Sequence, residues 1–181
     1  MTTRRDFLKT MTMASAGLAL GTGDLLGAPI SVSQRKAAAD KVKIAYVGIG
    51  NRGEQIIGDF ARTGMVEVVA LCDVDMGAPH TQKVMNMYPK AKRFRDFRQM
   101  FDKAGNDFDA VAIATPDHSH FPITMLALAS GKHVYVEKPL ARTFYEAELL
   151  MQAALKRPNL VTQVGNRKPI ISSLRLGWMR V

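Results

Sequence analysis

At 181 residues, 47% hydrophobic and 23% charged, the chain has the size and composition of one globular domain with short extras, which excludes collagen-like, coiled-coil and wholly disordered proteins. The net charge of +9 is carried at the ends. Residues 1–39 hold five basic and two acidic side chains, residues 166–181 hold four basic and none acidic, and the body, 40–165, holds sixteen and fourteen; a nucleic-acid partner needs charge on the folded body and is not expected.

The N-terminus reads as an address. Thr3-Arg4-Arg5-Asp6-Phe7-Leu8-Lys9 precedes a moderately apolar run, Met11 to Leu26, which is the layout of a secretory signal. The paired arginines followed by Phe-Leu-Lys resemble a twin-arginine export signal, whose pathway carries folded proteins, so a periplasmic location is expected. Ala28 and Ala37-Ala38-Ala39 are alternative cleavage points, and Pro29 to Asp40 reads as a linker. No stretch reaches the roughly 20 uninterrupted apolar residues of a membrane-spanning helix, so no stable membrane anchor is expected.

From residue 40 to 165 short apolar runs alternate with helical spacing. Strands are expected at Val42–Val47, Val66–Cys72, around Arg93-Phe94, at Asp109–Ala114, His133–Val136 and Leu160–Val164. Helices are expected around Ile56 to Phe60, His80–Tyr88, Phe97–Lys103, Phe121–Ser130 and Tyr145–Lys156. This alternation implies βαβ units and an α/β, doubly wound parallel sheet of the Rossmann-like kind. The one cysteine, Cys72, excludes an intrachain disulfide and a multi-cysteine zinc site.

The first strand runs into Gly48-Ile49-Gly50-Asn51-Arg52-Gly53 and then a helix. In G-x-G-x-x-G the first glycine allows a tight turn, the second lets backbone approach a pyrophosphate, and the third packs helix on strand. Asp73 closes the second strand, twenty residues after Gly53, where a carboxylate can accept ribose hydroxyls. Together these point to a dinucleotide; a methyltransferase holding an adenosyl cofactor is the alternative. Cys72-Asp73-Val74-Asp75 sets two carboxylates near the ribose 2′ position with no arginine close behind, which favours NAD over NADP.

Two later strand ends carry polar residues. The fourth ends in Ala114-Thr115-Pro116-Asp117-His118-Ser119-His120. Its two histidines stand two apart without a third ligand, so no metal is expected; they serve either the site or a helix cap. The fifth ends in Glu137-Lys138-Pro139, where the lysine ammonium either meets a substrate hydroxyl or carbonyl and supports proton transfer, or is a solvated charge beside Glu137.

The glycine loop, Cys72-Asp73, Thr115-Pro116 with His120, and Glu137-Lys138-Pro139, in this order, resemble the Gfo/Idh/MocA family over about residues 41–165. The resemblance implies a nicotinamide cofactor and a sugar or cyclitol substrate oxidised or reduced by hydride transfer. It also implies a second α/β domain on a large open sheet that bears most substrate contacts, with oligomers in full-length members. Related glycosidases use the nicotinamide transiently. It implies Lys138 as the catalytic lysine beside the substrate, and Thr115, Pro116 and His120 at the nicotinamide end. The cofactor-binding set is then Gly48, Gly50, Asn51, Arg52, Gly53, Asp73, Thr115, Pro116, His120 and Glu137. After Gly165 the basic tail, 166–181, carries no motif of the family. A truncated or frameshifted gene is expected, inactive alone, with a natural short protein bearing a functional basic tail as the alternative; the alternative functions are a binding-only domain that holds a dinucleotide without turnover and a nicotinamide-using glycoside hydrolase.

Overall fold

A computed structural model describes residues 41–165. The expected export signal, both cleavage points, the linker and the basic tail lie outside the described residues. Six strands run β1 (Val42–Val47), β2 (Val66–Cys72), β3 (Lys92–Phe94), β4 (Ala110–Ile113), β5 (His133–Val136) and β6 (Thr162–Val164). Five α-helices connect them: α1 (Arg52–Arg62), α2 (Pro79–Met87), α3 (Phe97–Ala104), α4 (His120–Ala129) and α5 (Phe144–Leu155). All five strand pairs are parallel, in the order β3-β2-β1-β4-β5-β6. That is the doubly wound arrangement, in which the chain winds outward from β1 in both directions and leaves a crevice where the direction reverses.

Strand side chains alternate between two cores. Ala45, Val47, Val111, Ile113, Val134 and Val136 face one way, against Met100, Phe101, Ile123, Leu128 and Leu150 of α3, α4 and α5. Ile44, Tyr46, Leu71 and Ala112 face the other way, against Ile56 and Ile57 of α1 and Val84 of α2. Helices on both faces explain why the central strands read as continuous apolar runs.

Helix starts follow local chemistry. Pro79 sits in the first turn of α2, the Asp96 carboxylate accepts the Arg98 N–H to cap α3, and Thr143 with Glu146 forms a capping box on α5. The expected elements are all present, with ends moved by one or two residues, except that α1 starts at Arg52, four residues before the expected Ile56. The largest local difference follows Pro116, where Asp117–Ser119 forms a 3-10 turn before α4. β6 is shorter than expected, Thr162–Val164, and its residues are exposed at the sheet edge.

Candidate functional site

The strand registers place the site. Cys72 pairs with Phe94, Val47 with both Cys72 and Ile113, Ile113 with Val136, and Val136 with Val164. The carboxyl ends of six strands therefore lie in one row. The next residue of each strand is Arg95, Asp73, Gly48, Ala114, Glu137 or Gly165. The expected site residues leave the sheet along one edge, at the end where doubly wound sheets bind ligands.

The glycine loop is held by backbone packing. Gly48 has φ +82°, and a Cβ there would lie 2.6 Å from the Ala114 carbonyl carbon and oxygen. A Cβ on Gly53 would lie 1.9 Å from the Gly48 oxygen, so α1 starts flush against the loop. Asn51 has φ +48°, a conformation asparagine tolerates better than most residues, and its side chain makes no cap hydrogen bond. The Asp73 carboxylate accepts the Ile49 N–H at 2.9 Å and the Asp75 N–H at 3.0 Å, tying the β2 end to the loop. Each oxygen keeps a lone pair for a hydroxyl donor.

Side chains hold the other half. Arg52 donates through Nε and Nη2 to Glu137 Oε1 at 3.1 and 2.8 Å, spanning the end of β4. Tyr135 donates its hydroxyl to the same oxygen at 3.1 Å, and its ring stands edge-on to Phe60. The Lys138 N–H reaches Glu137 Oε2 at 3.3 Å. Burial alone would raise the Glu137 carboxyl, but the Arg52 guanidinium, the Tyr135 hydroxyl and the Lys138 amide outweigh it and hold the group below the usual carboxylate range. Tyr135 is pushed up, first by burial and then by the charge of Glu137. Burial, with Asp73 behind it, pushes the Cys72 thiol up to about 12, so this cysteine is no nucleophile at neutral pH.

His120 is 1% exposed. Its Nδ1 lies 2.6 Å from the Pro139 carbonyl oxygen and its Nε2 2.8 Å from that of Thr115, so the ring clamps the β4 and β5 ends together. Pro116 and Lys138 are exposed, and the Lys138–Pro139 peptide is cis. His118 is also exposed, and the described residues hold no group of three or more His, Cys, Asp or Glu able to bind a metal.

A crevice of about 460 Å³ opens between the two halves, lined by Asn51, Arg52, Thr115, His120, Glu137 and Lys138 among others. The Thr115 Oγ1 is buried there without a hydrogen-bond partner. A second hollow, about 410 Å³, lies over α1 and α2, off the strand ends. Chain order alone missed Tyr135, Gln55 and Gly165, where a Cβ would lie 2.6 Å from both Glu137 Oε1 and the Tyr135 hydroxyl. It also missed Arg95. This residue lies 22 positions after Asp73, yet β3–β2 pairing sets it beside that residue, with its guanidinium donating to the Met76 oxygen at 2.9 Å. The signal for Tyr135 was present, since a hydroxyl two residues before Glu137 on a strand points to the same side.

A glycine loop set against backbone at a helix start, a carboxylate at the β2 end with lone pairs to spare and an unpartnered hydroxyl in the crevice fit a nicotinamide dinucleotide. Among solved structures, scyllo-inositol dehydrogenase from Lactobacillus casei, with bound NAD(H) and scyllo-inositol, is 29% identical with a TM-score of 0.61, covering 70% of this chain and 36% of that one. Myo-inositol 2-dehydrogenase from Lactobacillus plantarum is 25% identical with a TM-score of 0.63, over 70% of this chain and 36% of that one. A glycosyl hydrolase family 109 protein of Shewanella pealeana is 31% identical over 167 residues, and the alpha-N-acetylgalactosaminidase of Shewanella oneidensis is 29% identical over 169. Each of these two matches covers 83% of this chain and 36% of the relative, so the chain spans about a third of their length. Residues 42–165 match GFO_IDH_MocA, an oxidoreductase family with an NAD-binding Rossmann fold, and the chain belongs to that family.

Proposed function

We propose that this NAD-binding domain serves an enzyme that moves hydride between a nicotinamide and a sugar, sugar derivative or cyclitol, with Lys138 on the substrate side. The observation that carries this reading is the placement of Lys138, exposed, on the crevice shared with the glycine-loop residue Arg52 and with Thr115. When bound, the nicotinamide supplies the hydride acceptor or donor. Lys138 can then hydrogen-bond the reacting hydroxyl or carbonyl and carry its proton. The likeness to inositol dehydrogenases supports a polyhydroxylated substrate.

A second reading has its own support, because relatives named as glycosyl hydrolase family 109 proteins and an alpha-N-acetylgalactosaminidase align over 83% of this chain at 29–31% identity. In that reading the hydride is lent to the cofactor and returned, and the net reaction is glycoside cleavage. An absorbance assay with NAD and a panel of sugars and cyclitols, run beside nitrophenyl N-acetylgalactosaminide cleavage, separates the two. Accumulating reduced cofactor supports the first; cleavage without accumulation supports the second.

The substrate's opposite wall comes, in this proposal, from a further α/β domain, because the matched relatives are much longer than the chain. The 181-residue chain alone is then expected to bind NAD without turnover, since hydride transfer needs substrate held roughly 3–3.5 Å from the nicotinamide. Robust turnover lost in Lys138→Ala would overturn the two-part site. Translating the genomic DNA past codon 181 in all frames tests for a further domain directly. Arg4 and Arg5 motivate export by the twin-arginine route to the periplasm. Replacing both by lysine should leave the protein in the cytoplasm, and unchanged periplasmic recovery would remove that reading.

A further inference from the structure

The second glycine of the loop faces a side chain that the motif does not include. A Cβ built on Gly50 would lie 2.3 Å from His80 Cδ2 and 3.3 Å from its Nε2. Unlike Gly48 and Gly53, whose missing Cβ atoms make room for backbone, Gly50 makes room for an imidazole. His80 lies on α2, which approaches the loop from the neighbouring βα unit.

The backbone under His80 is well fixed. Pro79 occupies the first turn of α2, and the buried Thr81 hydroxyl donates to the Ala78 oxygen at 2.9 Å and accepts the Gly77 N–H at 3.1 Å. Lys83 pairs with Glu54 and ties α2 to α1. The imidazole is held only loosely, at the limit of ion-pair distance from one carboxylate. Its Nε2 stands 4.0 Å from Asp75 Oδ2, beyond hydrogen-bond distance, and no described residue gives it a hydrogen bond. The side chain is 39% exposed. A ring with an unspent N–H, anchored at its backbone and set against the glycine that admits a pyrophosphate, is placed to bind that anion.

We propose that His80 is a further cofactor residue of this chain, donating an N–H to the pyrophosphate of the bound dinucleotide. The proposal rests on the NAD-binding assignment. It goes beyond the glycine loop because the donor comes from α2, so cofactor binding links the first two βα units through a side chain. The opposed possibility is a plug: an imidazole filling the loop's open face must swing away before the dinucleotide enters.

Titration calorimetry on the 181-residue chain decides between them, with NAD, ADP-ribose and adenosine as the probes. His80→Ala should weaken NAD and ADP-ribose about tenfold or somewhat more, the low end for one hydrogen bond to a charged group, and leave phosphate-free adenosine unchanged. His80→Gln, which keeps an N–H donor, should recover part of the loss. Melting temperatures without ligand should match the parent chain in both variants. Tighter NAD binding by His80→Ala would establish the plug and overturn the proposal. Equal loss for adenosine and ADP-ribose would reduce His80 to a packing residue and also overturn it. Failure of the unaltered chain to bind NAD at all would instead sink the cofactor assignment on which the proposal stands.

Discussion

The two halves of the strand-end row are built differently. On the β1–α1–β2 side, Gly48 and Gly53 fit against backbone at distances that leave no room for a Cβ, and Asp73 is held by two backbone N–H groups. On the β4–β5 side, Glu137 is held by side-chain contacts, from Tyr135 on its own strand and from Arg52 reaching over from α1, and Lys138 is exposed. Backbone sterics permit one residue type and little adjustment, whereas a side-chain network can re-form around a change. The first half should therefore be brittle in cofactor binding. The second should be tolerant in binding and sensitive in chemistry.

The largest effect is expected at Gly53. Gly53→Ala drives a Cβ into the Gly48 oxygen, which α1 and β1 cannot both escape. It should cost about 3 kcal/mol or more and lower the melting temperature by roughly 10 °C, with NAD binding lost in calorimetry. Normal binding by this variant would break the contrast at its root. Asp73→Ala comes next. It removes the acceptor for Ile49 and Asp75 and should weaken NAD roughly ten- to hundredfold. It should also erase the preference for NAD over NADP. A surviving preference would move its origin away from Asp73, and Arg95, beside it in the sheet, becomes the residue to test.

Glu137→Gln sharpens the comparison through pH. Glu137's carboxyl is lowered in the fold, so its contribution to stability is complete above the ordinary value of 4.5 and is lost as pH falls through the lowered one. The unaltered chain should lose melting temperature across that acid window, and the glutamine variant should show a flatter profile. Near neutrality the substitution should cost about 1 kcal/mol, the low end for a hydrogen-bonded ion pair, because the Arg52 side chain is 33% exposed. Equal acid sensitivity in both proteins would show that the pair contributes nothing to folding. The smallest effect belongs to Lys138→Ala. An exposed lysine at a strand end should shift stability by no more than about 0.5 kcal/mol and NAD affinity by less than about threefold. A large loss of NAD affinity would place Lys138 with the cofactor rather than the substrate.

Much of this was legible in the amino-acid order because it is local. Val42–Val47 followed by Gly48-Ile49-Gly50 announces a strand running into a tight turn, and Asp73 at the end of the next apolar run announces its partner. Alternation of short apolar strands with helices predicts a parallel sheet because only covered faces permit such runs. The chain order of Glu137 and Lys138 marks a polar strand end without needing coordinates. Tertiary structure alone decided which of these residues meet. Arg52 and Glu137 are 85 positions apart, and the pairing of β4 with both β1 and β5 is what lets one reach the other. His120, read as bordering the nicotinamide, lines the crevice and also sets its ring nitrogens against two carbonyl oxygens, because the ring falls between two loops that the sheet brings side by side. His80 carries no signal in its own neighbourhood, since what makes it interesting is the missing Cβ of Gly50, thirty positions earlier. Spacing along a chain specifies turns, caps and periodicity through contacts a few residues long. Contacts across strands depend on register, and register is set by the packing of both faces at once.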